Sequence, residues 1–210
     1  RPAGKHAFVS VGFPGMIGCL TGMNDAGLTV AVHEVFFSGD GSSIFNPSGT
    51  PYTFTFRRIL EECTTVEEAK ACLRRTERTT FLSMAVCDRE RGAVLEMTPK
   101  TVAVRRGGHG ITACTNHFRT SQLATISLGW RYRILMRSLE AEHIDLDYMA
   151  AKLHQVNLGP LTMQTMVFEP GPLKLHLAIG SCPSSYLPLA GLELAPFLSS
   201  ETAGTAEHSN

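Results

Sequence analysis

Short apolar runs broken by Gly, Asn and Asp open the chain. Ala7 to Val11 reads as a strand, Phe13-Pro14-Gly15 as a turn, and Met16 to Leu20 as a second apolar run. Asn24-Asp25-Ala26-Gly27 carries turn chemistry, because Asn and Asp bond nearby backbone and Gly accepts positive φ. Leu28 to Val35 is rich in β-branched residues and reads as the returning strand. These segments predict a meander or hairpin of an antiparallel sheet. Phe81 to Cys87, Ala93 to Met97 and Thr101 to Val104 extend the pattern, with a charged turn at Asp88 to Gly92. Ile111 to Thr115 reads as one more strand, and Thr162 to Phe168 with Leu173 to Ile179 as a hairpin around Pro170-Gly171-Pro172.

Helical spacing appears between these runs. Phe54 to Glu62 fits one helix. Thr65-Val66-Glu67-Glu68 is a capping box for a second, which runs to about Arg75 with Val66, Ala69, Cys72 and Leu73 on its apolar side. Leu128 to Ala141 and Leu146 to Gln155 predict two more, and Trp130, Ile134, Leu135 and Leu139 form the apolar face of the first. The stretch from Ser38 to Pro51 is a loop long enough to line a site. The small, polar residues 199–210 predict a disordered tail, leaving residues 1–198 as one domain. Hairpin-linked strands with helices grouped between them indicate an α+β fold with antiparallel sheets. Two stacked sheets with helices outside, or one sheet with a single helical face, both satisfy the pattern.

Charge narrows the function classes. Nineteen basic residues balance nineteen acidic ones in 210 residues, so no general field draws nucleic acid or an anionic membrane. No apolar run reaches transmembrane length. Six cysteines follow neither a zinc nor a disulfide spacing, and most sit among apolar neighbours as small hydrophobes. This usage favours a reducing, cytoplasmic setting and leaves export open. Eight histidines form no metal-binding pair in sequence. The glycine-rich turns match no nucleotide fingerprint. Neither a metal nor a cofactor is expected.

Candidate chemistry concentrates late in the strand region. Cys114-Thr115-Asn116-His117-Phe118 ends an apolar run in short polar side chains. An amide on such a platform can donate to an oxyanion, or Asn116 can bond its own backbone as a turn residue. Arg131 lies near a helix start, where it can clamp a carboxylate or extend into solvent. Cys19 and Cys114 are the thiols a self-contained cysteine hydrolase would use.

The motifs, taken in order, resemble one family. Phe13-Pro14-Gly15-Met16-Ile17-Gly18, Thr21-Gly22-Met23-Asn24-Asp25-Ala26-Gly27-Leu28, Cys63-Thr64-Thr65-Val66-Glu67-Glu68-Ala69, Thr115-Asn116-His117-Phe118 and Ser127 through Tyr132 are similar to the acyl-coenzyme A:6-aminopenicillanate acyltransferase-like proteins and the related choloylglycine hydrolases. The closing hairpin and Pro183 fit as well, so the resemblance covers residues 1–198. It implies an N-terminal nucleophile hydrolase fold, an αββα four-layer sandwich of antiparallel sheets, here without its N-terminal strand segment. It also implies a precursor that cleaves itself and a thiol that forms an acyl-enzyme from a linear amide. Asn116 falls on an asparagine that supports oxyanion or substrate binding, and Arg131 on an arginine near the nucleophile. After Gly27-Leu28 the family tends to place another oxyanion-hole asparagine. This chain has His33 in that neighbourhood, either a ring donor for the same purpose or a structural hydrogen bonder at the sheet edge.

The implied nucleophile belongs to a segment upstream of Arg1. Three readings stand. One is an amidohydrolase or acyltransferase that takes a small acyl-amide substrate, completed by a separate or missing N-terminal segment and compatible with a homo-oligomer. The second is a degenerate binding or structural protein on the same fold. The third is a hydrolase using Cys19 or Cys114. The first expects Asn116, Arg131 and His33 to converge on one cleft.

Overall fold

The computed structural model describes residues 1–125 and 129–199. Residues 200–210 of the expected 199–210 tail, and Leu128 at the start of the expected third helix, lie outside them. Six strands form one antiparallel meander in which each pairs with the next in sequence: β1 (Phe8–Val11), β2 (Thr21–Asn24), β3 (Thr29–Glu34), β4 (Leu82–Cys87), β5 (Gly92–Met97) and β6 (Val102–Arg105). A second sheet holds β7 (Gln164–Glu169), β8 (Lys174–Ile179) and β9 (Ala190–Glu193) in sequence order. The helices are α1 (Tyr52–Glu62), α2 (Val66–Arg75), α3 (Trp130–Met136), α4 (Leu146–Gln155) and α5 (Ala195–Leu198).

Strand alternation assigns the two faces of the large sheet. Leu28, Val30, Leu82, Met84, Val86, Ala93, Leu95 and Met97 face α1 and α2, and pack on Phe56, Ile59, Leu60, Ala69 and Leu73. At the β1–β2 end of the opposite face, Ala7, Val9, Val11 and Met23 pack on Met166, Phe168, Leu175 and Leu177 of the second sheet. The helix α4 lies against β7 on the outer side of that sheet. The layers therefore run helix, sheet, sheet, helix, the αββα sandwich. The alternative of a single sheet with one helical face is overturned by the apolar contact between two sheets.

Two expected strands are absent. Met16 to Leu20 is a loop over the start of α1, where the Cys19 N–H donates to the Thr53 carbonyl at 2.9 Å. The strand is the following, more polar Thr21–Asn24. Residues 111–115 are irregular and cross the face of the large sheet, where Phe118 and Leu123 bury against Val35 and Phe81. The helix α3 is shorter than expected, continues as a 3-10 turn over Arg137–Glu140, and has no fully buried residue. Trp130 is 51% exposed and Leu139 39%, so the apolar stripe read there is largely at the surface. In contrast, α2 starts on the Thr65–Glu68 capping box and ends at Arg75 as its sequence dictates.

One buried amide ties the layers together. Asn24 is wholly buried. Its Nδ2 donates to the carbonyls of Leu60 (3.0 Å) and Cys63 (2.8 Å), the otherwise unpaired end of α1. Its Oδ1 accepts from the Leu28 N–H at 2.9 Å, closing the β2–β3 turn. Gly27 completes that turn at φ +88°, with Pro170 from the β7–β8 turn so close that a Cβ would lie 2.8 Å from its carbonyl oxygen. Nearby, Asp25 bonds the His6 ring at 2.5 Å, and the other ring nitrogen meets the Thr64 hydroxyl at 3.2 Å. This second tie fixes the chain start to the α1–α2 junction.

Replacing Asn24 by Ala strands two carbonyls and one N–H in the core. The expected loss is about 3 kcal/mol, measured as a lower urea midpoint with an unchanged slope. Asn24→Asp is expected to lose at least as much, because it aims an acceptor at two carbonyl oxygens. Equal stability of wild type and both variants would remove Asn24 from this role.

Candidate functional site

His33, Asn116 and Arg131 come from three distant segments and meet at the end of β3. The Asn116 Nδ2 donates to the Glu34 carbonyl at 3.0 Å. The Arg131 guanidinium donates to the Asn116 Oδ1 at 2.7 Å. These two bonds fix which way the amide points, and leave one of its two N–H donors uncommitted. His33 precedes Glu34 and has its ring in the field of Arg131. Burial first, and the Arg131 charge second, push its pKa down to about 4, so the imidazole is neutral near pH 7. The same burial lowers Arg131 below its ordinary value. Arg133, two residues on, is exposed, which separates the two arginines of the helix start.

The strands supply a floor for these groups. His33 pairs with Ser83 across β3–β4, Ser83 with Glu96 across β4–β5, and Glu96 with Ala103 across β5–β6. This rung lies on the face opposite α1 and α2. Ser83 and Glu96 are wholly buried. The Ser83 and Thr115 hydroxyls have no hydrogen-bond partner among the described residues.

Around the floor, side chains hold the irregular segment. The Glu96 carboxylate accepts from the Arg119 and Thr120 N–H groups at 2.9 Å, from the Thr120 hydroxyl at 2.8 Å, and from Arg105 Nε at 3.1 Å. Arg105 also donates to the Ala113 carbonyl at 2.6 Å. The Tyr132 ring, beside Arg131, carries the guanidinium of Arg119 at 4.3 Å and that of Arg105 at 5.6 Å. Gly129, at φ +41°, admits Arg119 so closely that a Cβ there would sit 2.1 Å from Nη2.

The cysteines fit a different description. Cys19 is wholly buried and its thiol is pushed up to about 11 by burial. Burial pushes Cys114 up to about 12. Both are protonated near neutrality, the form that does not attack a carbonyl. Among the described residues no group of three or more His, Cys, Asp or Glu could hold a metal. No described helix is long and apolar enough to cross a membrane. A concavity of about 340 Å³ lies elsewhere, at the start of α2, lined by Thr64, Glu67, Asp88 and Arg89 among others. Its Asp88 already caps the Val66 N–H, and none of His33, Asn116 and Arg131 lines it.

Sequence pattern missed Ser83, Glu96, Arg105 and Arg119, and gave Tyr132 only as part of the motif that carries Arg131. Strand alternation does put Ser83 and Glu96 on the face that carries His33, and this was the one available signal.

The depressed His33 pKa has a consequence for stability. The unfolded chain takes up this proton near pH 6.5 and the folded chain only near 4, so the unfolded state carries more protons between those values. Stability from this group is full above the unfolded value and falls on acidification, by up to about 3 kcal/mol. His33→Asn is expected to flatten that part of the profile, read as the difference in urea midpoint between about pH 7 and about pH 4.5. An identical acid loss in the variant would assign it to other groups.

No curated protein matches the sequence. Among solved structures the fold is similar to a variant of the conjugated bile acid hydrolase from Clostridium perfringens. That match has a TM-score of 0.62 at 15% identity and covers 91% of this chain and 78% of that one. Penicillin V acylase from Agrobacterium tumefaciens gives a TM-score of 0.52 at 15% identity, covering 89% and 69%. The N-acylethanolamine-hydrolyzing acid amidase ortholog of Caenorhabditis elegans gives 0.50 at 16%, covering 90% and 87%. At these identities the likeness establishes the fold, that of the N-terminal nucleophile hydrolases. The family model for acyl-coenzyme A:6-aminopenicillanic acid acyl-transferase matches residues 2–143, more than half of the sequence, and the chain belongs to that family.

Proposed function

We propose that this chain forms the binding and electrostatic part of an enzyme that breaks a linear C–N amide bond and passes the acyl group to water or an amine. The nucleophile in this reading is the thiol of an N-terminal cysteine on a segment upstream of Arg1. The observation that carries it is the chain of contacts Glu34 carbonyl, Asn116 amide, Arg131 guanidinium, set beside a neutral His33.

The chemistry asks for few parts. The cysteine α-amine, with a reference pKa of about 7.7–8.0, takes the thiol proton near neutrality. The sulfur attacks the carbonyl carbon, and the oxygen becomes an oxyanion. The uncommitted Asn116 N–H and the His33 ring are donors for that oxygen, held by a framework that needs no rearrangement as charge develops. Arg131 holds the Asn116 oxygen, which keeps the nitrogen side of the amide turned to the substrate. The departing amine takes a proton, leaving a thioester that water or a second amine opens. Exposed apolar side chains on the loops and ends nearby, including Phe36 and Phe37 just beyond His33, offer surface for an apolar acyl group. Residues 1–198 act as one domain in this reading.

A second reading is a binding protein on the same fold. His33, where the family tends to place an asparagine, favours it, since a ring nitrogen donates only in the right tautomer.

The deciding measurement is hydrolysis of a panel of fluorogenic acyl amides by the chain produced with its native upstream segment. Turnover is expected, absent when the upstream cysteine becomes Ala, and reduced about 100-fold in kcat by Asn116→Ala. Turnover that survives the cysteine change would overturn the thiol mechanism. No turnover of any acyl amide would favour the binding protein.

A further inference from the structure

We propose that Glu96 is the positioning residue of this site, holding both the loop that bears Asn116 and the helix that bears Arg131 in place against the β3 rung. The inference rests on the amidohydrolase reading for its catalytic consequence, and on geometry for the rest.

Residues 113–120 have no sheet ladder to fix them, so their backbone groups must find side-chain partners. Glu96 supplies them directly at one end and through Arg105 at the other. On the downstream side it accepts the N–H groups of Arg119 and Thr120 and the Thr120 hydroxyl. On the upstream side it holds Arg105, which donates to the Ala113 carbonyl. Asn116 sits between these two anchors. The two guanidinium groups resting on the Tyr132 ring are those of Arg105 and Arg119, the residues Glu96 engages. Tyr132 follows Arg131 directly, so the same carboxylate also sets the start of α3.

Register adds the third member. His33, Ser83 and Glu96 occupy successive positions on one rung, which places His33 and Glu96 about 10 Å apart on a common face. A rigid strand pair thus fixes the distance between the anchor and the imidazole. Glu96 touches no reacting atom in this arrangement. It acts through Asn116 and Arg131.

The test uses the full chain with its upstream segment, and compares Glu96→Gln with Asp88→Asn. The glutamine keeps the size but turns an NH₂ group toward donors. Asp88 is also a carboxylate that holds backbone N–H groups, those of Val66, Glu90 and Arg91, at the start of α2 and the β4–β5 turn. It controls for general loss of stability. The first readout is the His33 titration by NMR, assigned by its loss in His33→Asn. In wild type it is expected near 4, where burial and the Arg131 charge hold it. In Glu96→Gln the midpoint is expected to rise by more than one pH unit, because Arg131 and the covering loop leave the ring. In Asp88→Asn it is expected to stay.

The second readout is turnover, with kcat expected to fall about 100-fold and KM to change little, as misplacement by about 1 Å does. If Glu96→Gln does not fold, Glu96→Asp keeps the charge, shortens its reach to the Arg119 and Thr120 N–H groups, and is expected to raise the same midpoint. An unmoved His33 midpoint in whichever variant folds would overturn the proposal. A wild type without turnover whose His33 midpoint nevertheless moves in Glu96→Gln would overturn the amidohydrolase reading and retain the positioning role.

Discussion

Backbone laid across a sheet face without joining its ladder must have its polar groups satisfied by side chains. Residues 111–120 are in that position, and the rest of the site depends on how the demand is met. A buried carboxylate on β5 takes N–H groups from one end of the segment, and an arginine on β6 takes a carbonyl at the other. A hydrogen bond to a charged partner is worth more than one between neutral groups, and losing it in a buried setting costs the full desolvation of the stranded group. The segment is therefore tied at both ends while keeping a shape no strand could have. That shape turns Asn116 toward the end of β3.

The same economy appears at Asn24, where a single amide serves the end of a helix and a tight turn at once. In both places polar side chains do what repeating secondary structure cannot, and in both they are accompanied by glycine where another backbone or guanidinium approaches too closely for a Cβ. The apolar contacts fill the layers; these polar ties decide how the layers are offset. His33 illustrates the cost. It stands on a sheet face partly withdrawn from water, beside an arginine, and the price is an imidazole that resists its proton.

Much of the fold is legible in the chain. The β3, β4 and β5 strands and α2 carry strong alternation or capping signals, and their boundaries fall within a residue or two of what those signals dictate. Other parts mislead for identifiable reasons. Ile111 to Thr115 is apolar because it covers a sheet, and apolarity alone does not separate covering from pairing. The β2 strand, Thr-Gly-Met-Asn, is short and ends in an asparagine that reads as turn chemistry although it serves as a buried bridge. All four residues of β9 are exposed, so alternation leaves no trace. Asn116 and Arg131 stand out through ordered motifs. Glu96 does not, because a glutamate between Leu95 and Met97 reads as the solvent side of a half-buried strand. Only when the 113–120 segment is seen lying over it does that side become interior.

The connectivity of the large sheet also bears on how the molecule assembles. Every pairing from β1 to β6 joins segments adjacent in the chain, although α1 and α2 lengthen the link between β3 and β4. The contact between sheets is different in kind: Ala7 and Val11 meet Leu175 and Leu194 from the far end of the sequence. Closing a short loop costs less entropy than closing a long one, and pairings of low sequence separation form sooner. The topology thus favours a zippered first half onto which the later hairpin docks. The docking step is then the slow one, and until it occurs the apolar row of Ala7, Val9, Val11 and Met23 is bare to other chains.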